Sequence, residues 1–247
     1  MGYEQQYNFY KKMSKSIFII SFYNKRSPQN LQDLIKQLMI YGKDIAIVVN
    51  IDNYNNLELE RHNNLIFLKR VNEGMNIGAW DQGWRYFSDF DNYFFFQDEC
   101  FLKNNNFFER YEELLSIEKN GIIGESINPK WNKSWNEMSL SPLNYQIKMD
   151  NRIFNRVDFY QKKMIDWKIN PGDSSKHLRA LNWALTNKTL KLIDGFPIGK
   201  NKEECIASEV AVSRSIESNM LEITQSDKQH FNFIGHREWA DDGFGKL

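Results

Sequence analysis

The chain has 247 residues, which is enough for one large or two small domains with a substantial core. Its 32 Lys and Arg residues balance 32 Asp and Glu residues, so no net field favours nucleic acid or an anionic membrane as partner. Cys100 and Cys205 lack metal-ligand or redox-motif spacing, and apolar runs such as 17–22 are too short to span a bilayer. We therefore expect a cytoplasmic protein that is at most peripheral at the membrane.

The first half of the sequence alternates predicted strands and helices. Hydrophobic runs predict buried strands over 16–22, 45–49, 65–68, 93–96 and 121–124. Helical spacing and capping residues predict helices from Pro28 to about Gly42, from Asn76 to about Phe87, and from about Asn105 to Ile117. This alternation is typical of an α/β fold with a mostly parallel sheet.

The second half is less regular. Residues 125–175 are rich in turn formers, and we interpret them as a long functional loop region with one helix near 156–166. A strand is predicted over 178–185 and a helix over 201–218. We expect an N-terminal extension over 1–15 and a single domain over 16–247, with a first half over 16–124 and a second half over 125–247.

The most informative segment is the aromatic run 93–96, which leads directly into Gln97, Asp98 and Glu99. Such a run indicates a strand buried on both faces of a sheet. Ligands of open α/β sheets bind beyond the carboxyl ends of the strands, where an acid can hold a divalent cation against a phosphate. The alternative is a strand that ends in a solvated acidic turn.

Two common nucleotide-binding motifs are missing from the sequence. A Rossmann dehydrogenase needs a glycine-rich turn after its first strand, but the turn over 23–28 has no glycine. A P-loop motif is also absent. The sheet therefore does not hold a dinucleotide or ATP in either of these ways.

Taken together, five segments resemble motifs of the GT-A glycosyltransferases, in particular the family-2-like group. In chain order they are Ser21-Phe22-Tyr23-Asn24, Val48 to Asn53, Asn72 to Ala79, Phe96-Gln97-Asp98-Glu99 and His230 to His236. The resemblance spans roughly residues 16–236 and depends on the order and spacing of the motifs. It departs from the family where Gln97 replaces an acid or Asn, and where the second strand lacks the usual pair of acids.

The resemblance implies a set of ligand-binding residues. Asp98 and His236 are expected to hold Mn²⁺ or Mg²⁺, hard ions that assist the departure of a diphosphate. The donor nucleotide sugar is expected to contact residues at the ends of the first strands and in the helix that follows: Phe22, Tyr23, Asn24, Asp52, Asn72, Gly74, Asp81 and Gln97.

The helix over 201–218 carries two candidates for the catalytic base. Glu209 falls inside the apolar stripe of this helix, where a carboxylate is unfavourable unless it is paired or lines a cleft. A structural salt bridge, for instance with Arg214, is the alternative. Glu204 belongs to an acidic pair that resembles the family's base, but it also stands where a helix cap needs it. We favour Glu209, and we note that His177 could reach the acceptor.

The resemblance thus implies a metal-assisted, inverting glycosyltransferase of polysaccharide biosynthesis. It would use a nucleotide-sugar donor and a glycan or lipid-linked glycan acceptor, and no nucleic acid. A nucleotidyltransferase on a similar sheet is one alternative, although Lys25 and Arg26 stand after the first strand without the expected glycines. A non-catalytic glycan-binding module is another.

Overall fold

The computed structural model describes residues 14–149 and 152–242. The predicted N-terminal extension, apart from residues 14 and 15, lies outside the described residues.

The strands, in chain order, are β1 (Ser16–Tyr23), β2 (Asp44–Ile51), β3 (Glu58–His62), β4 (Leu65–Val71), β5 (Asn92–Gln97), β6 (Cys100–Leu102), β7 (Asn120–Gly124), β8 (Gln146–Met149), β9 (Arg152–Asn155), β10 (Asn182–Thr186), β11 (Glu222–Gln225) and β12 (Ile234–His236). The α-helices are α1 (Gln29–Leu38), α2 (Met75–Tyr86), α3 (Phe107–Leu115), α4 (Trp135–Ser139), α5 (Arg156–Asp166), α6 (Asn187–Leu192) and α7 (Lys202–Ser218), and a 3-10 turn over Met39–Tyr41 extends α1. No helix in the described part of the chain is long and apolar enough to cross a membrane.

Within the described residues, eight strands form the central sheet in the order β11-β7-β10-β5-β1-β2-β4-β3. Strand β1 pairs in parallel with β2 and β5, β2 with β4, and β7 with β11. Strand β10 runs antiparallel between β5 and β7, and β3 is an antiparallel edge strand. The sheet confirms the predicted α/β fold with mostly parallel strands, which is GT-A-like.

The central strands are buried on both faces because helices cover each side of the sheet. Alternate residues of β1 point to opposite cores, so that Ile17 and Ile19 pack with α2 and α7, whereas Phe18 and Ile20 pack with α1 and α3. The aromatic run of β5 divides in the same way, with Phe95 in the first core and Phe94 in the second.

The region predicted as a long loop over 125–175 contains more regular structure than expected. It holds α4, the β8–β9 hairpin and the expected helix α5, which packs against α7. Its tryptophans Trp131 and Trp135 join a third core with Tyr160 and Val210. Elements of four or five residues are too short to show a helical or strand period, which is why the sequence pattern missed them.

A buried carboxylate ties the C-terminal segment to the sheet. Glu125 follows β7 and is only 1% exposed. It accepts hydrogen bonds from the Tyr111 hydroxyl at 2.7 Å, the Ser226 hydroxyl at 2.6 Å and the Phe233 N–H at 3.0 Å. These bonds bring residues 226–236 back over the carboxyl ends of the strands, where β12 pairs antiparallel with β6.

We expect the mutation Phe18→Ala to lower the free energy of unfolding by about 3–5 kcal/mol, because it opens a cavity in a packed aromatic core. Phe18 is fully buried and its ring contacts those of Phe94, Phe96 and Phe108. Urea unfolding measures the change, and Ile40→Ala is the control, since Ile40 is 64% exposed. A loss of less than about 1 kcal/mol in Phe18→Ala would contradict this packing.

Candidate active site

Polar side chains meet at the carboxyl ends of β1, β2 and β4. Asp52 accepts hydrogen bonds from the Tyr23 hydroxyl at 2.5 Å, from Lys25 Nζ at 2.8 Å and from Asn72 Nδ2 at 3.0 Å. These donors hold the pKa of Asp52 below its usual value. The structure therefore brings together three of the predicted donor-binding residues, Tyr23, Asp52 and Asn72.

The neighbours of Tyr23 have different surroundings. The Phe22 side chain is partly buried and packs against the core that contains Phe18. The Asn24 side chain is exposed, and its backbone N–H donates to the Asn50 carbonyl at 3.1 Å. Phe22 therefore packs this end of β1 against the core, whereas the Asn24 side chain is exposed to solvent.

A turn between β4 and α2 can be made only with glycine at position 74. Gly74 has a φ of +72°, and a Cβ there would lie 2.7 Å from Ile198 Cγ2 and 3.0 Å from Gly78 Cα. The close approach lets α2 begin directly at the carboxyl end of β4. Asn76 in its first turn accepts a hydrogen bond from Ser21 Oγ of β1 at 3.0 Å.

The acidic turn after β5 is bridged by an arginine. Asp98 is only 2% exposed, and burial raises its pKa to about 6 although Arg26 opposes the shift. Arg26 Nη1 lies 2.6 Å from Glu99 Oε2 and 3.6 Å from Asp98 Oδ1. The Arg26 guanidinium thus holds the position next to both carboxylates that a cation would take.

His236 lies beside this turn because β12 pairs with β6 and sets His236 opposite Cys100. Its Nε2 is 3.3 Å from Gln97 Oε1 and 3.9 Å from Glu99 Oε2. Its Nδ1 accepts the Glu238 N–H at 3.2 Å, so the ring proton is on Nε2. To bind an ion through Nε2, the nitrogen that faces the turn, His236 would have to carry its proton on Nδ1, and Nδ1 would then lose the hydrogen bond from the Glu238 N–H.

The carboxylate oxygens of the turn suit a hard divalent cation, but the described side chains around them do not complete a coordination shell. Asp98 and Glu99 provide carboxylate oxygens, the ligands that Mg²⁺ and Mn²⁺ prefer. Within residues 14–149 and 152–242, no group of three or more His, Cys, Asp or Glu side chains could hold a metal ion. A metal role for Asp98 and His236 therefore stays a prediction, and it requires Arg26 to move.

Asp81 lies away from these groups. It accepts hydrogen bonds from Arg85 Nε at 2.8 Å and from the Phe196 N–H at 2.8 Å. It does not line the cavity described below. Its contacts fix the loop after α6 to α2, which is a structural task.

A cavity of about 400 Å³ opens between the two halves of the chain. One wall is formed by Gly74, Ile77 and Gln97, at the ends of β4 and β5. The opposite wall comes from the second half and includes Trp131 and Glu209. The cavity therefore adjoins both the acidic turn and the helix that carries the candidate base.

Glu209 faces this cavity with 21% of its side chain exposed. Burial raises the pKa of Glu209 to about 7, although Arg179, the Ala180 N–H and Arg156 all favour the charged form. The carboxyl group can therefore gain or lose a proton near neutral pH. Its partners are not Arg214, which instead pairs with Glu217.

The nearby His177 does not form an ion pair with Glu209. Burial lowers the pKa of His177 to about 3, so its ring is neutral at physiological pH. Nδ1 lies 2.9 Å from the Ser175 carbonyl and must donate to it, which leaves Nε2 as an acceptor for Asn128 Nδ2 at 3.2 Å. The contact of 3.6 Å between His177 Nε2 and Glu209 Oε1 therefore places two acceptors side by side.

Glu204 has structural partners and lies outside this cavity. Its carboxylate is 3.0 Å from Lys163 Nζ and accepts the Lys200 N–H at 2.9 Å, while its own N–H donates to the Asn201 cap. Burial opposes ionisation, but the Lys200 and Lys163 contacts outweigh it and lower the pKa of Glu204. Glu204 is therefore ionised, and at the start of α7 its carboxylate is bound to Lys163 and to the Lys200 N–H.

Sequence reasoning missed several residues of the site. Arg26 was noticed only as a basic residue after β1, and its link to the acidic turn is made by tertiary structure. Arg156, Arg179 and Trp239 line the cavity although no motif contains them. The tryptophans of the 125–175 region were the available signal, since Trp131 forms part of the cavity wall.

Comparison with solved structures supports the fold. The chain is similar to the mannosyltransferase PcManGT from Pyrobaculum calidifontis in complex with GDP-Man and Mn²⁺, with a TM-score of 0.50 and 12% identity over 85% of this chain and 54% of that one. The chain thus spans about half the length of that structure. A protein from Bacillus anthracis in complex with sucrose, described as a glucose-1-phosphate thymidylyltransferase, aligns with a TM-score of 0.41 and 12% identity over 84% of this chain and 85% of that one. No protein-family model and no curated sequence matches the chain.

The raised pKa of Glu209 predicts a pH-dependent stability. The folded state keeps the proton to a higher pH than the unfolded state does, so the stabilisation is complete below about pH 4.5 and is lost as pH rises through about 7. Relative to Glu209→Gln, the wild-type free energy of unfolding should fall by up to about 3 kcal/mol over this window. Urea unfolding at several pH values measures it, with the exposed Glu118→Gln as control. A constant difference between the wild type and Glu209→Gln would contradict the shift.

Proposed function

We propose that the protein is a glycosyltransferase that moves a sugar from a nucleotide-sugar donor to a hydroxyl group of a glycan or lipid-linked glycan. The observation that carries the proposal is the position of Glu209: a carboxyl group with a pKa near 7 faces a cavity that also reaches the end of β5. A general base works best when its pKa lies near the working pH. The GT-A-like sheet supports the proposal by placing ligand sites at its carboxyl edge.

The donor nucleotide is proposed to lie over the ends of β1, β2 and β4. The Tyr23–Asp52–Asn72 network offers an aromatic ring, a carboxylate and an amide within one hydrogen-bonded group, which suits a base and a ribose. The sugar would then extend towards Gln97 and Gly74, which line the cavity. Asp81, predicted as a further donor contact, is bound to Arg85 and to the Phe196 N–H and would contribute to this arrangement by holding α2 in place.

Transfer with inversion requires a base on the face of the sugar opposite the diphosphate. In our proposal the acceptor oxygen attacks the anomeric carbon, the bond from that carbon to the diphosphate oxygen breaks, and Glu209 takes the hydroxyl proton. The neutral Nε2 of His177 beside Glu209 cannot donate a hydrogen bond to the carboxylate, so His177 does not compete with the acceptor hydroxyl as a proton donor to Glu209. The diphosphate leaves with the electron pair of the broken bond.

A divalent ion, Mn²⁺ or Mg²⁺, is the proposed cofactor, with Asp98 and Glu99 as oxygen ligands and His236 as a further ligand after a change of tautomer. When bound, such an ion would offset the charge that develops on the leaving diphosphate. Arg26 already provides positive charge at this point, 2.6 Å from Glu99 and 3.6 Å from Asp98. Its guanidinium can contact a phosphate directly once the donor is bound.

We expect the mutation Glu209→Gln to lower kcat by about 100-fold or more while the donor still binds, because it removes the proton acceptor and keeps the shape. The assay measures nucleoside diphosphate release and the mass of the glycan product, which also separates sugar transfer from nucleotidyl transfer. Glu204→Gln is the matched control and should keep most of its kcat, because Glu204 binds Lys163 outside the cavity. The reverse result would make Glu204 the base, and full activity in both would contradict an inverting mechanism with a base on α7.

We expect Asp98→Asn to fold normally and to weaken Mn²⁺-dependent binding of a nucleoside diphosphate at least about tenfold, since even the partners of metal ligands contribute that much. Titration calorimetry with GDP and with UDP, each with Mn²⁺ and with a chelator, measures it. The matched control is Asp166→Asn on α5, whose side chain pairs with Lys162. If the affinity for the nucleoside diphosphate changes neither on removal of the metal nor in Asp98→Asn, the role of the cation would fall to Arg26.

A further inference from the structure

The lining of the cavity carries an excess of positively charged side chains, although the formal net charge of the whole chain is zero. Among its lining residues in the described part of the chain, one is a carboxylate, Glu209, and four are cationic: Lys130, Arg156, Arg179 and Lys202. Over the whole chain 32 basic residues balance 32 acidic residues. On the surface, cations such as Lys162 form ion pairs, in this case with Asp166. A local excess of one sign in a concave site raises the concentration of ligands of the opposite sign.

Arg156 is held by aromatic rings instead of by an acid. Its guanidinium lies 4.9 Å from the centres of the Trp131 and Tyr145 rings and 5.2 Å from that of Tyr160. Its Nε donates to the Tyr160 hydroxyl at 2.8 Å. Within residues 14–149 and 152–242 no carboxylate forms an ion pair with Arg156 at 4.0 Å or less, whereas Arg26, Arg85 and Arg214 each have one.

Arg179 lines the same cavity, and it also packs on an aromatic ring. Its guanidinium lies 3.7 Å from the centre of the Trp239 ring, and Nη2 donates to Asn128 Oδ1 at 3.2 Å. The side chain is only 6% exposed. Stacked guanidinium groups keep their orientation, and a planar fork of N–H donors matches the oxygens of a carboxylate or phosphate.

We infer, on the basis of the proposed function, that the acceptor carries an anionic group, a carboxylate or a phosphate, which Arg156, Arg179 and Lys202 bind next to Glu209. A neutral acceptor would desolvate Arg156, which has no ion pair among the described residues, without compensating its charge, which is unfavourable. A cavity of about 400 Å³ is large enough for a sugar ring with such a substituent. The lining also includes apolar side chains such as Leu143 and Ile206, which suit the carbon face of a sugar ring.

The diphosphate of the donor is a poorer match for these cations. Arg156 begins α5 and Lys202 begins α7, so both belong to the second half of the chain, on the wall opposite Gly74 and Gln97. The donor is proposed to enter from the ends of β1, β2 and β4, where Lys25 and Arg26 stand. We therefore expect mutations of Arg156 or Lys202 to weaken acceptor binding, and mutations of Lys25 or Arg26 to weaken donor binding.

The test measures binding of methyl glucuronide, glucose 6-phosphate and the neutral methyl glucoside by titration calorimetry. We expect at least one of the anionic sugars to bind about tenfold or more tightly than methyl glucoside, with an affinity that falls as salt is added. Arg156→Met should remove most of this preference, Arg156→Lys should restore part of it, and Lys202→Met should weaken it. The comparison of methyl glucuronide with glucose 6-phosphate shows whether the site prefers a carboxylate or a phosphate.

Arg61→Met is the matched control, because Arg61 is exposed on the edge strand β3 and pairs only with Asp44 at 3.8 Å. Thermal melting checks that Arg156→Met is folded, and Lys202→Met avoids the problem since its side chain is exposed. Equal binding of all three sugars, or an anion preference that survives both Arg156→Met and Lys202→Met, would overturn the inference.

The kinetic version of the test separates this inference from the proposed function. Arg156→Met should raise the KM of an anionic acceptor about tenfold and leave the KM of the nucleotide sugar unchanged. Efficient transfer to a neutral acceptor would support the transferase and refute the anionic acceptor. Selective binding of anionic sugars without turnover of any nucleotide sugar would keep this inference and refute the transferase.

Discussion

The hydrogen bonding of β5 on both of its edges is the constraint on which the site depends. The strand pairs in parallel with β1 and antiparallel with β10, so its end is fixed from two directions. Gln97 lies where these pairings end, and its amide also contacts the Ala180 carbonyl and His236. The acidic turn therefore emerges between the first half of the chain and the second, next to the cavity that both halves line. A less constrained strand could not hold Asp98 almost fully buried at the edge of a sheet.

The electrostatics of the site follow from burial more than from ion pairing. Glu209 is close enough to Arg156 and Arg179 for both to favour its charged form, yet burial raises its pKa. His177 is neutral for the same reason and gives no compensating charge. The aromatic rings that hold Arg156 carry no net charge, so they leave the positive charge of its guanidinium in place. This arrangement gives Glu209 a pKa near neutrality, and both the proposed base and the proposed anion site depend on it.

The sequence predicted the first half of the fold better than the second. The strands over β1, β2, β5 and β7 were predicted from continuous apolar runs, since a strand covered on both faces must be apolar throughout. The edge strand β3 was missed because its residues are exposed and polar. The strand predicted over 178–185 begins only at Asn182, because the residues before it, including His177 and Arg179, line the cavity. Functional residues interrupt the pattern that secondary structure imposes on a sequence.

What the sequence by itself determined is the alternation of strands and helices, the GT-A-like fold, and the acids that stand at the end of a buried strand and on α7. These features depend on local patterns of polarity, which are visible in a one-dimensional chain. Only the tertiary structure decided that Glu209 faces a cavity while Glu204 binds Lys163, and that Arg26 reaches the acidic turn from 73 positions away. Only the tertiary structure also gathered Arg156, Arg179 and Lys202 around one cavity. The physical reason is that pKa values and ligand sites depend on burial and on distances between segments remote in sequence, which side-chain periodicity does not encode.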